Sequence, residues 1–333
     1  MDDEITLKPR HKYEHKTDVN VFYDTIIVGA GVAGLSAAMY AARLGLKTML
    51  IGETIGGTIA LTSAVENYPG FVSVGGQKLA ELLENHAMDY DIGILNDIVT
   101  SISIEKQQSN SFKVQSGKNE FKGRTVVLAT GAKVKKLGIP GEEGFTGRGV
   151  GYCAICDAGM VAGKNVAVLG GGDSAVKEAN LLANYAKKVY VVNNEERLHA
   201  EKPNMARLKA YMKEGRVEAI NGAETARIDG DKRVERLVFK KPVDNRQSLD
   251  IDYVFIYIGH NPENTLAKPL GVKLNEKGEV IINKNSETNI PGFYAAGDVT
   301  DSPWKQAITA AAQGVTAAYH AYEHINKNFK SNI

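Results

Sequence analysis

Cysteine is scarce: two occur in 333 residues. That scarcity excludes the disulfide framework that staples small secreted domains. Charge of one sign is not in excess either, with 40 Lys and Arg against 39 Asp and Glu. The balance gives no electrostatic reason to expect nucleic acid or a membrane surface as partner. No apolar run reaches the length that spans a bilayer. The start, Met1-Asp2-Asp3-Glu4, is acidic with no apolar stretch behind it, so no signal peptide is expected. Two thiols and no others fit a reducing cytoplasm. Residues 1–21 are polar and without periodicity, and read as a loose arm or as a segment packing on a partner protomer. Glycine, by contrast, is abundant at 34 residues, which fits several tight backbone turns around phosphates. The length suits about two domains.

The two cysteines stand together in Tyr152-Cys153-Ala154-Ile155-Cys156-Asp157. A bridge across so short a loop removes little unfolded-state entropy and makes a poor staple. The spacing suits a small ring that opens and closes, one thiol attacking and the other resolving. Competing readings are half a zinc site and a coincidental buried pair. Zinc needs two more ligands, and the seven histidines show no paired ligand spacing, so no metal is expected.

Two glycine-rich turns flank this pair. Asp24-Thr25-Ile26-Ile27-Val28 reads as a buried parallel strand that enters Gly29-Ala30-Gly31-Val32-Ala33-Gly34. An Ala-rich helix follows over 35–44, then a strand over 47–51. Gly29 makes the tight turn, Gly31 lets backbone approach a pyrophosphate, and Gly34 lets helix pack on strand. Glu53 lies about 20 residues beyond the turn, where an acid accepts from ribose hydroxyls. The unit recurs as strand 164–169, Gly170-Gly171-Gly172-Asp173-Ser174-Ala175, a helix to Lys187 and strand 188–192. Two dinucleotide folds with a dithiol between them point to electrons passing from nicotinamide through flavin to a disulfide.

Elsewhere, residues 77–90 read as an amphipathic helix and 92–128 as short strands closing on Thr130-Gly131. Residues 216–257 read as strands and turns, Gly259-His260-Asn261-Pro262 as a break, 278–282 as strand, and 306–325 as a long helix. Asp298 follows a strand end, where it can bond a cofactor polyol or cap a turn.

From about residue 22 to 326 the chain resembles the low-molecular-weight thioredoxin reductases, FAD-dependent pyridine nucleotide–disulfide oxidoreductases. The resemblance rests on Val28 to Gly34, Gly56-Gly57, Glu66 to Gly70, Gly147 to Val150, Cys153 to Asp157, Gly170 to Ala175, Ala295 to Asp298 and Lys305 to Thr309. It implies an α/β fold of two Rossmann-like, three-layer FAD/NAD(P)-binding domains, the second inserted into the first. The expected boundaries are an arm over 1–21, FAD-binding segments over 22–135 and 259–333, and a pyridine-nucleotide-like domain carrying the dithiol over 136–258. It further implies a homodimer in which the inserted domain swivels. Thioredoxin or a thioredoxin-like protein is the implied partner. By motif, Cys153 attacks the partner disulfide, Cys156 lies nearest the flavin and Asp157 manages the proton. Gly29, Gly31, Gly34, Glu53, Gly57, Asn67, Gly131, Gly297, Asp298, Gln306 and Ala307 fall to FAD, the last two through backbone amides at a helix start. Gly170, Gly172, Asp173, Ser174, Asn194 and Glu195 fall to a nicotinamide nucleotide. Lys305 stands where other members carry Arg.

One departure bears on the electron donor. Members that use NADPH carry three arginines after the second unit's last strand. Here those positions are Asn194, Glu195 and His199, with Arg197 the one cation between them. An acid in place of a phosphate-binding arginine favours NADH over NADPH. Other readings remain: a flavoprotein using another donor, a flavin oxidase or peroxide-linked disulfide reductase, and a regulatory flavoprotein without a reductant site.

Overall fold

The computed structural model describes residues 9, 11, 13, 17–62, 65–105 and 111–329, and Cys156 in its backbone only. Most of the expected arm lies outside these residues. Strand β1 (Phe22–Val28) is wholly buried over its last four residues, as a strand covered on both faces should be. It leads into α1 (Val32–Arg43), and β2 (Thr48–Ile51) returns parallel to it, Val28 opposite Ile51. Then come α2 (Gly76–Ala87), β3 (Ile92–Leu95), β4 (Val99–Glu105), β5 (Ser111–Ser116), β6 (Asn119–Leu128) and β7 (Ala132–Val134).

The middle of the chain holds β8 (Val150–Gly151), α3 (Ala154–Asp157), β9 (Asn165–Leu169), α4 (Asp173–Leu182), β10 (Lys188–Val192) and α5 (Lys202–Lys213). It continues with β11 (Val217–Ile220), β12 (Thr225–Gly230), β13 (Val234–Val243), β14 (Arg246–Asp250) and β15 (Tyr253–Ile256). The chain closes with β16 (His260–Pro262), β17 (Phe293–Ala295) and α6 (Ala307–Phe329).

The chain divides into two compact units, Met1–Lys133 with Pro262–Ile333, and Val134–Asn261. Both are Rossmann-like α/β units. In the first, the sheet runs β3-β2-β1-β6-β5-β4, with β17 parallel to the end of β6. In the second, five strands run β11-β10-β9-β15-β8, all parallel, beside an antiparallel β12-β13-β14 sheet. The segment 259–262, read from sequence as a break, contains a strand: β16 pairs with β7.

Small residues set the packing of the first unit. Ala33, Ala37, Ala38 and Ala41 of α1 share a core with Ala310, Ala317, Ala318 and Ala321 of α6. A Cβ on Gly314 would lie 2.1 Å from the Ala33 carbonyl oxygen, so the two helix backbones nearly touch. That contact fixes the start of α6 beside the β1–α1 turn.

Two further expectations from the sequence need correction. Helix α4 stops at Leu182, not Lys187, because Asn184 Nδ2 captures the carbonyls of Asn180 (3.1 Å) and Leu181 (3.3 Å). Residues 278–282 form no strand. The Asn275 side chain accepts from the amides of Lys277 and Glu279 and closes a turn there, leaving Val280 only isolated bridges to Leu274 and Thr300.

Candidate functional site

In the first unit the β1–α1 turn is built at backbone contact distance. Gly29 has φ +109°, and a Cβ there would lie 2.2 Å from the Ala129 carbonyl oxygen. A Cβ on Gly34 would lie 1.7 Å from the Gly29 carbonyl oxygen. Gly34 therefore shapes the turn from behind and does not line the space in front of it. That space is a cavity of about 480 Å³. Gly29, Gly31, Glu53, Gly57, Gly131, Gly297, Asp298, Gln306 and Ala307 all line it, from six separate stretches of chain. Helix α1 begins at Gly31 without a side-chain cap, so its first amides are open to an anion.

The opposite wall is held by specific bonds. The Gly297 amide donates to Gln313 Oε1 (2.8 Å), and Lys305 Nζ donates to the Asp298 carbonyl (2.9 Å) while pairing with Glu279 (2.5 Å). Asn67 lies off the lining and donates to Gln306 Oε1 (2.9 Å), so it orients a lining residue. The Gln306 amide is already taken by Thr309 Oγ1 (3.1 Å), which leaves Ala307 as the lining residue whose amide opens α6. Lys133 and Glu263 also line the cavity and form a 2.6 Å ion pair, which no pattern in the sequence announced.

In the second unit, Cys153 is disulfide-bonded and immediately precedes α3. Cys156 is the only other cysteine of the sequence, and its side chain lies outside the described residues. Ala154, between them, is fully buried in a core with Ala175, Val176 and Ala179 of α4. Its amide donates to Tyr257 Oη (2.8 Å). On the other side, Tyr152 donates its hydroxyl proton to Glu142 Oε1 (2.8 Å). Glu142 is buried and also accepts from the amides of Leu137 (3.1 Å) and Gly138 (2.6 Å). Burial first, then the Glu142 carboxylate, pushes the Tyr152 hydroxyl up to about 12. Both flanks of Cys153 are thus pinned. Asp157 closes α3, and burial raises its carboxyl above the usual range. A Cβ on Gly151 would lie 2.8 Å from Asp157 Oδ2, so glycine there makes room for the acid.

The second glycine turn lies between β9 and α4, and Gly172 caps α4 without a side-chain bond. Gly170, with φ +137°, Gly172 and Ser174 lie at this turn and helix start. Asp173 opens α4 there, and its Oδ1 accepts from the Glu201 amide (2.8 Å) and Asn204 Nδ2 (2.9 Å) and so fastens α5. The segment after β10 folds back on this turn, the His199 amide donating to the Gly171 carbonyl (2.7 Å). Buried Asn193 organises it, donating to the carbonyls of Glu195 (3.2 Å) and Arg197 (2.9 Å). Asn194 and Glu195 are exposed, and Glu195 Oε2 lies 3.0 Å from His199 Nε2.

The family model for pyridine nucleotide-disulphide oxidoreductase matches residues 23–314. The chain belongs to that family. The chain is 37% identical to the thioredoxin reductase of Bacillus subtilis (strain 168), over 93% of this chain and 98% of that protein. It superposes on the crystal structure of Lactococcus lactis thioredoxin reductase (FR conformation) with a TM-score of 0.85 at 33% identity, covering 92% of this chain and 99% of that one. It is also 35% identical to an NADH dehydrogenase of B. subtilis (strain 168) and to an alkyl hydroperoxide reductase component of Pseudomonas putida, over 92% and 93% of this chain. It spans 59% of the length of each of those two. Its similarity to thioredoxin reductases runs over nearly the whole length of both chains. Among the described residues, no helix is long and apolar enough to cross a membrane, and no cluster of His, Cys, Asp and Glu could hold a metal.

Proposed function

We propose that this enzyme reduces the disulfide of thioredoxin or a thioredoxin-like protein, taking electrons from NADH through FAD and the Cys153–Cys156 pair. The observation that carries the reading is the Cys153 disulfide at the start of α3, in a unit with its own glycine turn. FAD supplies two-electron chemistry compatible with both a nicotinamide and a disulfide. The first unit's cavity fits it: the Gly29–Gly31 backbone and the α1 N-terminus suit a pyrophosphate, Glu53 a ribose, and Asp298 a polyol hydroxyl. Gly57 and Gly297 keep the walls close, Gly131 lines the cavity, and Ala307 offers its amide at the start of α6. In the second unit, Gly170, Gly172 and Ser174 serve a pyrophosphate, with Asp173 contributing backbone, and Asn194 and Glu195 serve an unphosphorylated ribose.

Once reduced, Cys153 attacks one sulfur of the partner disulfide, and the other partner sulfur leaves as a thiolate. Asp157, its carboxyl raised by burial, supplies that thiolate with a proton. Cys156 then attacks Cys153, which restores the internal disulfide and releases the partner as a dithiol. The scarcity of cysteine supports work in the reducing cytoplasm, and family resemblance supports a homodimer. The relative named for alkyl hydroperoxide reductase favours a second reading, electron supply to a peroxide-reducing system. The near end-to-end match to thioredoxin reductases favours the first.

Purified protein should be yellow, with equimolar FAD released on denaturation. Gly34→Ala should lose the flavin, because its Cβ would collide with the Gly29 carbonyl. A colourless wild type that takes up no FAD on reconstitution would end this reading.

A further inference from the structure

Tyr257 has no part in the chemistry above, yet it touches both the glycine turn and the cysteine turn of the second unit. Its backbone carries on from β15, the Tyr257 amide donating to the Leu169 carbonyl (2.8 Å). Gly170 passes so close that a Cβ there would lie 2.2 Å from the Tyr257 carbonyl oxygen. The main chain at 257 is therefore fixed against the glycine turn. From that fixed point the side chain packs on the core that holds Val168, Ala175 and Ala154. Its hydroxyl oxygen ends at the Ala154 amide, which it accepts at 2.8 Å.

Ala154 lies between the cysteines and opens α3. It is fully buried, so water cannot replace the hydroxyl as acceptor for its amide. The next residue, Ile155, is exposed, so the turn is anchored to the core at one residue and open to solvent at the following one. On the far side of Cys153 a separate bond, from Tyr152 to Glu142, holds the chain. The reacting residue thus sits between two main-chain positions that are each fixed from inside the unit.

We propose that Tyr257 is a positioning residue of the redox pair: its hydroxyl holds the Ala154 amide so that Cys153 meets the disulfide of a docked protein in line. The inference rests on the disulfide-exchange reading above. In that exchange the Cys153 thiolate bonds to one partner sulfur while the bond to the other breaks, and the leaving sulfur departs with the electron pair. The three sulfurs must line up. A docked protein cannot turn to follow a displaced nucleophile, whereas a small disulfide approaches from whichever side is open. Tyr257 therefore matters for a protein disulfide and little for a small one. It moves no proton and no electron itself.

The test isolates the attack of Cys153 in full-length holoenzyme carrying Cys156→Ser, where the mixed disulfide accumulates. Adding Tyr257→Phe should slow mixed-disulfide formation with oxidised thioredoxin about tenfold, and should change the release of thiolate from dithiobis(nitrobenzoate) by less than about twofold. Equal slowing with both disulfides overturns the proposal, because it reports a general loss of thiol reactivity or of fold. No slowing with either overturns it as well, because the bond then has no consequence for the attack. A second readout uses the wild type, and decides the matter should Tyr257→Phe not fold. Hydrogen exchange at the Ala154 amide, followed by mass, should be strongly retarded in oxidised and reduced enzyme alike, and rapid exchange in the reduced enzyme overturns the proposal. Should Cys156→Ser exchange with the small disulfide and never with thioredoxin, the substrate reading alone sinks, and the Ala154 amide then tests the positioning role by itself.

Discussion

Cys153→Ser should remove thioredoxin reduction and leave flavin reduction by the donor intact. The loss should be on the order of a thousandfold or more, as when an essential nucleophile is deleted. A hydroxyl in place of the thiol cannot form the mixed disulfide. The fold should survive, because a bridge across two intervening residues adds little stability. The turn is held by other means, through buried Ala154 and the bonds of Tyr257 and Tyr152. Cys156→Ser should lose turnover as completely, but differently. Its Cys153 can still attack and cannot be resolved, so a mixed disulfide with thioredoxin should accumulate on non-reducing gels. Near wild-type reduction of a protein disulfide by either variant would show that the dithiol is not the relay.

NADPH should bleach the flavin far more slowly than NADH at equal concentration under anaerobic conditions. A 2′-phosphate carries nearly two negative charges and is usually met by arginine, whose planar fork matches its oxygens. The segment after β10 instead exposes the Asn194 amide and the Glu195 carboxylate, with Glu195 3.0 Å from His199. Buried Asn193 fixes this arrangement by holding the carbonyls of Glu195 and Arg197, so the acid is part of an ordered turn. Exchanging attraction for repulsion should cost on the order of a few kcal/mol, a hundredfold or more in affinity. Glu195→Arg should narrow the gap. Faster bleaching by NADPH would refute the charge argument, and bleaching by neither nucleotide would point to another electron donor.

The two βαβ units were legible because each combines signals that agree: a strand with an apolar end, glycines at fixed offsets and an Ala-rich helix. The dithiol was legible for a similar reason, being the only cysteines present and lying between the two glycine turns. What escaped was tertiary. Tyr257 reaches Ala154 across 103 residues, and Glu142 reaches Tyr152 from a loop with no motif of its own. The error at 278–282 has a tertiary cause: the apolar run resembles a strand, but the amides of Val280 and Ile281 go to the separate carbonyls of Val299 and Lys273, and that of Ile282 to Asp301 Oδ1. The assignment of Asp173 to a nucleotide rested on its place after the glycines. Its carboxylate fastens α5, a use that nothing in the spacing announced.

The relay is tested most directly by a single turnover without any nucleotide. Holoenzyme is reduced anaerobically with dithionite, freed of excess reductant and mixed with thioredoxin in its disulfide form. The relay predicts that the flavin reoxidises while thioredoxin gains two thiols per pair of electrons delivered, and that Cys153→Ser does neither. A flavin that stays reduced beside intact thioredoxin disulfide would contradict it.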